Sequence, residues 1–158
     1  KAGVDLLSFG ATKNGAMAAE AIVLFRKDAA LAEALEYRRK RAGHLFSKMR
    51  FLSVQLEAYL DGGRWLKNAR HANGEAQRLA QGLAAVPGVE LLSPVQGNEI
   101  FAAMPVSLVQ AIEAEGYLLQ PWENPEAGRQ VIRMVTAFNT DPKAVDGLLA
   151  VAAKRRAA

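Results

Sequence analysis

The sequence has no cysteine and only two histidines among its 158 residues. The missing cysteines exclude a disulfide framework, a thiolate zinc or iron–sulfur site, and a cysteine nucleophile. Because His44 and His71 are the only histidines, we expect no histidine-rich metal site. The chain also lacks an apolar run close to the ~20 residues that span a bilayer, and it has no secretory signal. We therefore expect no metal, no membrane association and a cytoplasmic location.

Charged residues make up 23% of the sequence and hydrophobic residues 51%, and the formal net charge is +4. This is the balance of an ordinary folded protein. The densest basic stretch is 38–41, Arg-Arg-Lys-Arg, and Lys48 follows it. Such a cluster binds phosphate groups or nucleic acid, or forms the solvated face of a helix. Aromatic residues do not interleave with it, so we expect no nucleic-acid partner. A basic binding or dimerisation module without enzymatic activity remains an alternative.

Hydrophobic periodicity, interrupted by glycine and proline, predicts elements in the order ββ–ααα–ββ–α–ββ–α. This order indicates an α/β chain whose second half is an α+β unit, an antiparallel sheet covered on one face by helices. The predicted strands are 4–9, 20–25, 89–92, 99–104, 117–119 and 131–138, and the predicted helices are 29–41, 45–60, 64–86, 106–115 and 142 to about 156.

The first two predicted strands have no partner sheet within the chain. Two strands alone are marginally stable in water. The sequence also starts at Lys1 without a methionine and enters a strand pattern at once. We therefore expect a further domain upstream.

Lys13 lies in the loop 10–19 that joins these two strands, and the loop is rich in small residues. Small residues let a ligand approach the backbone closely, and Asn14-Gly15 favours a turn. A lysine that is partly desolvated loses its proton more easily, because burial disfavours the charged form. The neutral amine attacks carbonyl compounds, and this is how a lysine holds pyridoxal 5′-phosphate (PLP). The position alone is also compatible with an ordinary surface lysine.

Arg133 interrupts an otherwise apolar predicted strand, 131–135. A charged residue in such a run faces solvent or a cleft, or it pairs with an anion. The guanidinium fork suits bidentate binding of a carboxylate. Both interpretations, a carboxylate-binding arginine and an outward-facing residue of a half-exposed strand, remain open at this point.

Three stretches resemble the threonine aldolase/β-eliminating lyase family of fold-type I PLP enzymes. The first runs from Asp5 to Gly15, DLLSFGATKNG, and is followed by EAIVLF at 20–25. The second is RRKRAGHLFSKMR at 38–50, and the third is RMVTAF at 133–138. The Thr-Lys-Asn-Gly sequence resembles in particular the branch with low-specificity L-threonine aldolases and phenylserine aldolase.

The resemblance implies roles for individual residues. Lys13 matches the lysine that binds PLP covalently, and Arg133 matches the arginine of the small domain that grips the amino acid carboxylate. Thr12 is expected to orient the lysine or to contact the cofactor. Arg39, Lys40 and Lys48 are candidates for the basic residues that reach the cofactor phosphate of a neighbouring subunit, which implies a homodimer or a homotetramer.

The implied function is PLP-dependent cleavage of β-hydroxy-α-amino acids, of the L-threonine or phenylserine type, into glycine and an aldehyde. Another PLP-dependent lyase or transaminase of the same fold is the alternative. In the family, most of the large domain precedes the lysine. We therefore expect residues 1–27 to be the last strands and lysine loop of that domain, 28–60 to be linking helices and 61–158 to be the small domain. The isolated chain is not expected to be a competent aldolase.

Overall fold

The computed structural model describes residues 2–45, 47–124 and 127–154. The helices and strands follow in the predicted order. Contacts divide the chain into two compact units, Lys1–Leu66 and Lys67–Ala158. We call them the first and the second unit and describe each by itself.

The first unit opens with an antiparallel pair of strands, β1 (Leu6–Gly10) and β2 (Glu20–Leu24). Their register runs from Leu6 opposite Leu24 to Gly10 opposite Glu20. The connection contains one turn of 3-10 helix, Thr12–Asn14. This confirms the predicted hairpin-like pair and places the lysine in its connection.

Three helices follow, α1 (Ala29–Arg41), α2 (Arg50–Leu60) and α3 (Arg64–Ala84), the last of which continues into the second unit. Between α2 and α3 the chain turns through Asp61–Gly63, where Gly62 has a φ of 59°. Glycine adopts this left-handed conformation without the steric penalty that a side chain brings. The predicted break at the glycine pair is therefore confirmed.

Helix α1 begins at the predicted residue, and Asp28 is its N-cap. The Asp28 side chain accepts a hydrogen bond from the backbone N–H of Leu31 at 2.9 Å. Arg26 also pairs with this carboxylate at 2.5 Å. The hydrogen bond from Arg26, together with that from Leu31, lowers the pKa of Asp28 below its ordinary value. No residue of α1 is buried.

The core of the first unit is small. In the described part of this unit, the buried hydrophobic residues are Ala11, Ala19 and Tyr59. The ring of Phe9 packs against those of Tyr59 and Trp65, at centroid distances of 6.1 and 6.3 Å. Large apolar side chains remain exposed on the strand pair and its flanks, namely Val4, Leu6, Leu7, Ile22 and Phe25.

The elements of the second unit after α3 are β3 (Glu90–Leu91), β4 (Glu99–Pro105), α4 (Val106–Ala114), β5 (Gln120–Pro121), β6 (Arg129–Val135) and α5 (Pro142–Lys154). The strands form a four-stranded antiparallel sheet in the order β3-β4-β6-β5. Alternate residues of the two central strands are buried, and Ala103 of β4 is buried as well. The alternating apolar residues share a core with apolar residues of the three helices, as expected for a sheet with helices on one face. The predicted α/β class, with a helix-covered antiparallel sheet, is confirmed.

Polar contacts and one close approach connect α3 with the rest of the second unit. Arg78 pairs with Glu75 on its own helix and with Asp146 on α5. The buried hydroxyl of Thr136 donates to the carbonyl oxygen of Ala72 at 2.7 Å. At Gly82 the helix comes so close to Leu149 that a Cβ atom there would overlap the leucine side chain.

Three predicted elements were wrong in their bounds by three residues or more. The strand predicted at 131–138 is β6, Arg129–Val135, so it ends three residues earlier than predicted. Helix α2 starts at Arg50 and not at residue 45, because 47–49 form a turn in which Lys48 has a φ of 65°. The strand predicted at 117–119 lies instead at Gln120–Pro121, where it pairs with β6. The last helix is described as far as Lys154, so the predicted end near Arg156 lies outside the described residues.

Within 2–45, 47–124 and 127–154, no helix combines the length and the apolar character needed to cross a membrane.

Candidate active site

Lys13 occupies the middle of the short helical turn between β1 and β2, and its side chain is exposed. The carbonyl oxygen of Ala11 accepts hydrogen bonds from the N–H groups of Asn14 and Ala16, both at 3.1 Å. Gly15 ends the turn with a φ of 115°, a conformation that side chains other than hydrogen rarely allow. The Asn-Gly pair thus forms the predicted turn directly after the lysine.

Two side chains hold the far end of the same loop. The hydroxyl of Thr12 accepts a hydrogen bond from the N–H of Ala19 at 3.1 Å. The side-chain oxygen of Gln55, on α2, accepts hydrogen bonds from Met17 and Ala18 at 3.0 and 3.2 Å. Thr12 therefore closes the loop across its base, and Gln55 attaches it to α2.

Asn14 attaches the turn itself to the corner between α2 and α3. Its side-chain nitrogen donates to the hydroxyl of Tyr59 at 2.5 Å and to the carbonyl oxygen of Trp65 at 3.1 Å. Sequence reasoning assigned Asn14 only to the turn. The signal that could have suggested more is a primary amide, with two donor hydrogens, directly beside the candidate lysine.

The Lys13 amine is available for chemistry. Within the described part of the chain, no hydrogen bond or ion pair involves its side chain. The loop lies at the surface of the first unit, so the Lys13 side chain is exposed and not partly desolvated in the described chain. An open cavity with a volume of about 460 Å³ is lined by Gly15–Met17 of this loop, and Lys13 is not among its lining residues.

The three basic candidates lie near the end of α1 and in the following loop. Arg39, Lys40 and Lys48 are all exposed. The Nε of Arg39 donates to the carbonyl oxygen of His44 at 3.3 Å, which ties it to that loop. Among the described residues, no hydrogen bond or ion pair links any of the three to Lys13. Their assignment to a cofactor phosphate stays a prediction.

Arg133 lies on β6, opposite Phe101 of β4 and Gln120 of β5, and its side chain is half-buried. Its Nε forms an ion pair with Glu99. Its guanidinium carbon lies 5.5 Å from the ring centroid of Trp122, a cation–π distance. Trp122 in turn packs edge-on against Phe101 at 5.3 Å.

Arg133 therefore lies among aromatic rings and already binds a carboxylate, that of Glu99. Sequence analysis assigns no role to Trp122 or to Glu99. Both have contacts with Arg133 because antiparallel pairing brings distant segments beside β6. The arrangement is suited to an arginine that exchanges one carboxylate partner for another.

Among the described residues, neither histidine has a hydrogen bond to the candidate residue of its own unit, which is Lys13 for His44 and Arg133 for His71. A ring nitrogen of His71 lies 2.8 Å from the carbonyl oxygen of Thr140, within the second unit. His44 is exposed in the loop after α1. In the described ranges no group of three or more His, Cys, Asp or Glu residues could hold a metal ion.

Comparison with known proteins gives matches along most of the chain. The family model described as Beta-eliminating lyase matches residues 1–106. A low-specificity L-threonine aldolase from Pseudomonas sp. (strain NCIMB 10558) is 47% identical over 117 residues, which are 74% of this chain and 33% of the relative. One from Pseudomonas aeruginosa is 42% identical over 141 residues, 89% of this chain and 39% of the relative.

Among solved structures, a threonine aldolase from Leishmania major matches with a TM-score of 0.88 at 24% identity, over 96% of this chain and 43% of that chain. At this identity the likeness shows the fold. This chain thus spans 33% and 39% of the length of the two curated relatives.

Proposed function

The chain belongs to the beta-eliminating lyase family, and we propose on this basis that it is part of a PLP-dependent aldolase. The whole enzyme would cleave β-hydroxy-α-amino acids into glycine and an aldehyde. The proposal concerns the whole protein, since the chain spans 33% and 39% of its curated relatives. Its main support is the turn that presents Lys13: an exposed amine, without an ion-pair partner among the described residues, on a loop that is hydrogen-bonded at both ends.

The residues present fit PLP in this role. A lysine that is to bond covalently to an aldehyde must have its amine accessible and not neutralised by a carboxylate. Lys13 meets both conditions in the described chain. When bound, PLP acts as the electron sink that stabilises negative charge at the substrate Cα. Lys13 would hold the cofactor through its side-chain amine.

Arg133 binds the substrate carboxylate in this proposal. The bidentate guanidinium fixes one end of the amino acid, which restricts the orientation of the bond that breaks. Before substrate arrives, Glu99 holds the guanidinium by their ion pair. The ring of Trp122 supports it on one side. Substrate binding is therefore an exchange of carboxylates at one arginine.

Arg39, Lys40 and Lys48 are proposed to bind the cofactor phosphate of a neighbouring subunit. Their exposure supports this, since a cation that contacts another subunit must be accessible in the single chain. The exposed apolar side chains of the strand pair also favour burial in a larger assembly. We propose a homo-oligomer in the cytoplasm, with a substrate of the L-threonine or phenylserine type. The division into 1–27, 28–60 and 61–158 is likewise a proposal.

The experiment that tests the function compares Lys13→Ala with Lys67→Ala in the intact protein. Lys67 is an exposed lysine of α3, so Lys67→Ala removes one positive charge from the surface, as Lys13→Ala does. With threonine or phenylserine and PLP, Lys13→Ala should lower kcat by at least about a thousandfold, as for loss of a covalent catalytic group. Lys67→Ala should leave it unchanged. Borohydride reduction followed by peptide mapping should place the cofactor label on Lys13.

The products distinguish the proposal from its alternatives. Glycine with an aldehyde supports the aldolase. Ammonia with a keto acid indicates β-elimination, and exchange of the amino group indicates a transaminase. Cofactor label spread over many lysines, with Lys13→Ala fully active, rules out the assignment of Lys13.

A further inference from the structure

We propose that Asn14 is the residue that positions Lys13, through hydrogen bonds that fasten the lysine turn to the corner between α2 and α3. The inference rests on the proposed function, because it concerns how Lys13 meets the cofactor. Lys13 and Asn14 are neighbours on a turn of three residues. A displacement of the Asn14 backbone therefore moves the lysine as well.

The anchor for Asn14 is the best-packed part of the first unit. Tyr59 is 5% exposed, and its ring packs against Phe9. Phe9 also packs against the ring of Trp65, whose carbonyl oxygen is the second acceptor. A side chain attached to this cluster is held by residues that have little freedom to move. The turn takes its position from the cluster.

The chemistry of the contact requires an amide at position 14. The side-chain nitrogen carries two hydrogens and faces two oxygens, the Tyr59 hydroxyl and the Trp65 carbonyl. Aspartate has nearly the same shape but no hydrogen to donate, and it would place a negative charge beside the carbonyl oxygen. Asn14→Asp thus removes the fastening while it keeps the size of the side chain.

The other hydrogen bonds of the loop do not replace this contact. Thr12 closes the base of the loop onto Ala19, and Gln55 holds Met17 and Ala18. Of the three residues in the turn, all of them described, Asn14 is the one whose side chain reaches the α2–α3 corner. Its loss leaves the loop closed but frees the turn that carries Lys13.

The test measures the Lys13 amine itself as well as activity. In the intact protein, we compare the rate at which PLP and borohydride label Lys13 in Asn14→Asp, Tyr59→Phe and the unmodified protein. The matched control is Asn98→Asp, which removes a 2.7 Å side-chain hydrogen bond to Thr136 in the second unit. We also record the visible absorption of the cofactor bound at Lys13 and the pH at which it changes.

We expect Asn14→Asp to slow the labelling of Lys13 roughly tenfold, since small misplacements of a reacting group are costly, and to shift the pH midpoint of the absorption band. Tyr59→Phe should have a smaller effect in the same direction, and Asn98→Asp should have none on either quantity. In steady-state kinetics, Asn14→Asp should lower kcat more than it raises KM.

The proposal is overturned if Asn14→Asp and Tyr59→Phe label Lys13 at the unmodified rate, or if Asn98→Asp slows the labelling equally. Should Asn14→Asp fail to fold, Tyr59→Phe decides alone, because it removes the hydroxyl that accepts the hydrogen bond from Asn14 and keeps the ring. Failure of the proposed function is a different result: label that persists in Lys13→Ala, whatever the Asn14 variants do.

Discussion

The two units of the chain are held together in different ways. Among its described residues, the second unit has a continuous apolar core of sixteen buried residues, fifteen of them from one sheet and three helices and one, Val86, from the turn after α3. Among its described residues, the first unit buries three hydrophobic residues, and it relies on side-chain hydrogen bonds to shape its loop. The unit with the smaller core carries the candidate lysine, and the unit with the larger core carries Arg133. We infer that core packing stabilises the second unit, whereas side-chain hydrogen bonds fix the position of the lysine loop in the first unit.

The contrast between the two cores can be tested by truncating one leucine in each unit. This experiment has the largest expected effect on the free energy of unfolding. Leu83 is fully buried and Leu60 is 48% exposed. Leu83→Ala should lower the free energy of unfolding by about 2–5 kcal/mol, and Leu60→Ala by about 1 kcal/mol or less. Each unit holds one tryptophan, Trp65 or Trp122. Urea unfolding followed by fluorescence, with the other tryptophan changed to phenylalanine, assigns each loss to a unit. Equal losses would contradict the contrast.

A second prediction separates binding from reactivity. Arg133→Gln should raise KM for the amino acid about 10–100-fold, as expected when a charge-assisted hydrogen bond worth about 1.5–3 kcal/mol is lost. The effect on kcat should be far smaller than that of Lys13→Ala. Arg70→Gln, at an exposed position of α3, controls for the change in charge. An unchanged KM in Arg133→Gln would remove Arg133 from substrate binding.

A third, smaller effect concerns the carboxylate that Arg133 already binds. Glu99→Gln should lower KM by up to about fivefold, because an exposed ion pair worth at most about 1 kcal/mol no longer competes with substrate. Glu90→Gln is the matched control, since Glu90 pairs with Arg129 on the same sheet at 3.1 Å. A KM that rises in Glu99→Gln would show that Glu99 orients Arg133 instead of competing for it.

The smallest effect is a pH dependence in the first unit. The pKa of Asp28 lies below its ordinary value of 3.8, because Arg26 and the N–H of Leu31 stabilise the carboxylate. The folded state therefore binds this proton less readily than the unfolded state. The resulting stabilisation is present above pH ~4 and disappears as the pH falls through the lowered pKa.

Far-UV circular dichroism at decreasing pH should accordingly show α1 losing helicity over this range. Asn is also a good N-cap but does not titrate. In Asp28→Asn, the loss should be smaller, and the difference between the two curves isolates the carboxylate. Identical curves would mean that Asp28 contributes nothing through its charge.

Most of the fold was predictable because the apolar periodicity and the glycine and proline breaks agree with the structure. The errors occur where apolar residues are not buried. Leu45 continues the spacing of α2 but is exposed, so the helix starts later. Leu118 is fully exposed, and the position of β5 is decided by pairing with β6, which the local sequence does not contain.

The candidate site was predictable only in part. Lys13, Thr12 and Arg133 follow from local sequence and family resemblance, and their roles stay predictions. The contacts that hold the site cannot be predicted from local sequence. Asn14 contacts Tyr59, which lies 45 positions away in the chain, and Arg133 contacts Glu99, which lies 34 positions away. Contacts of this kind depend on the packing of α2 and on strand register. No local pattern encodes either.

The close approach of α3 to Leu149 has a consequence for how this helix can be redesigned. Two glycines lie in α3, and glycine costs a helix about 1 kcal/mol relative to alanine. At Gly74 an added methyl group meets nothing within 4 Å, whereas at Gly82 it would displace Leu149. In a library that varies every position of the helix, alanine should be enriched at residue 74 and depleted at residue 82. The same substitution is thus an improvement at one glycine and a defect two turns later.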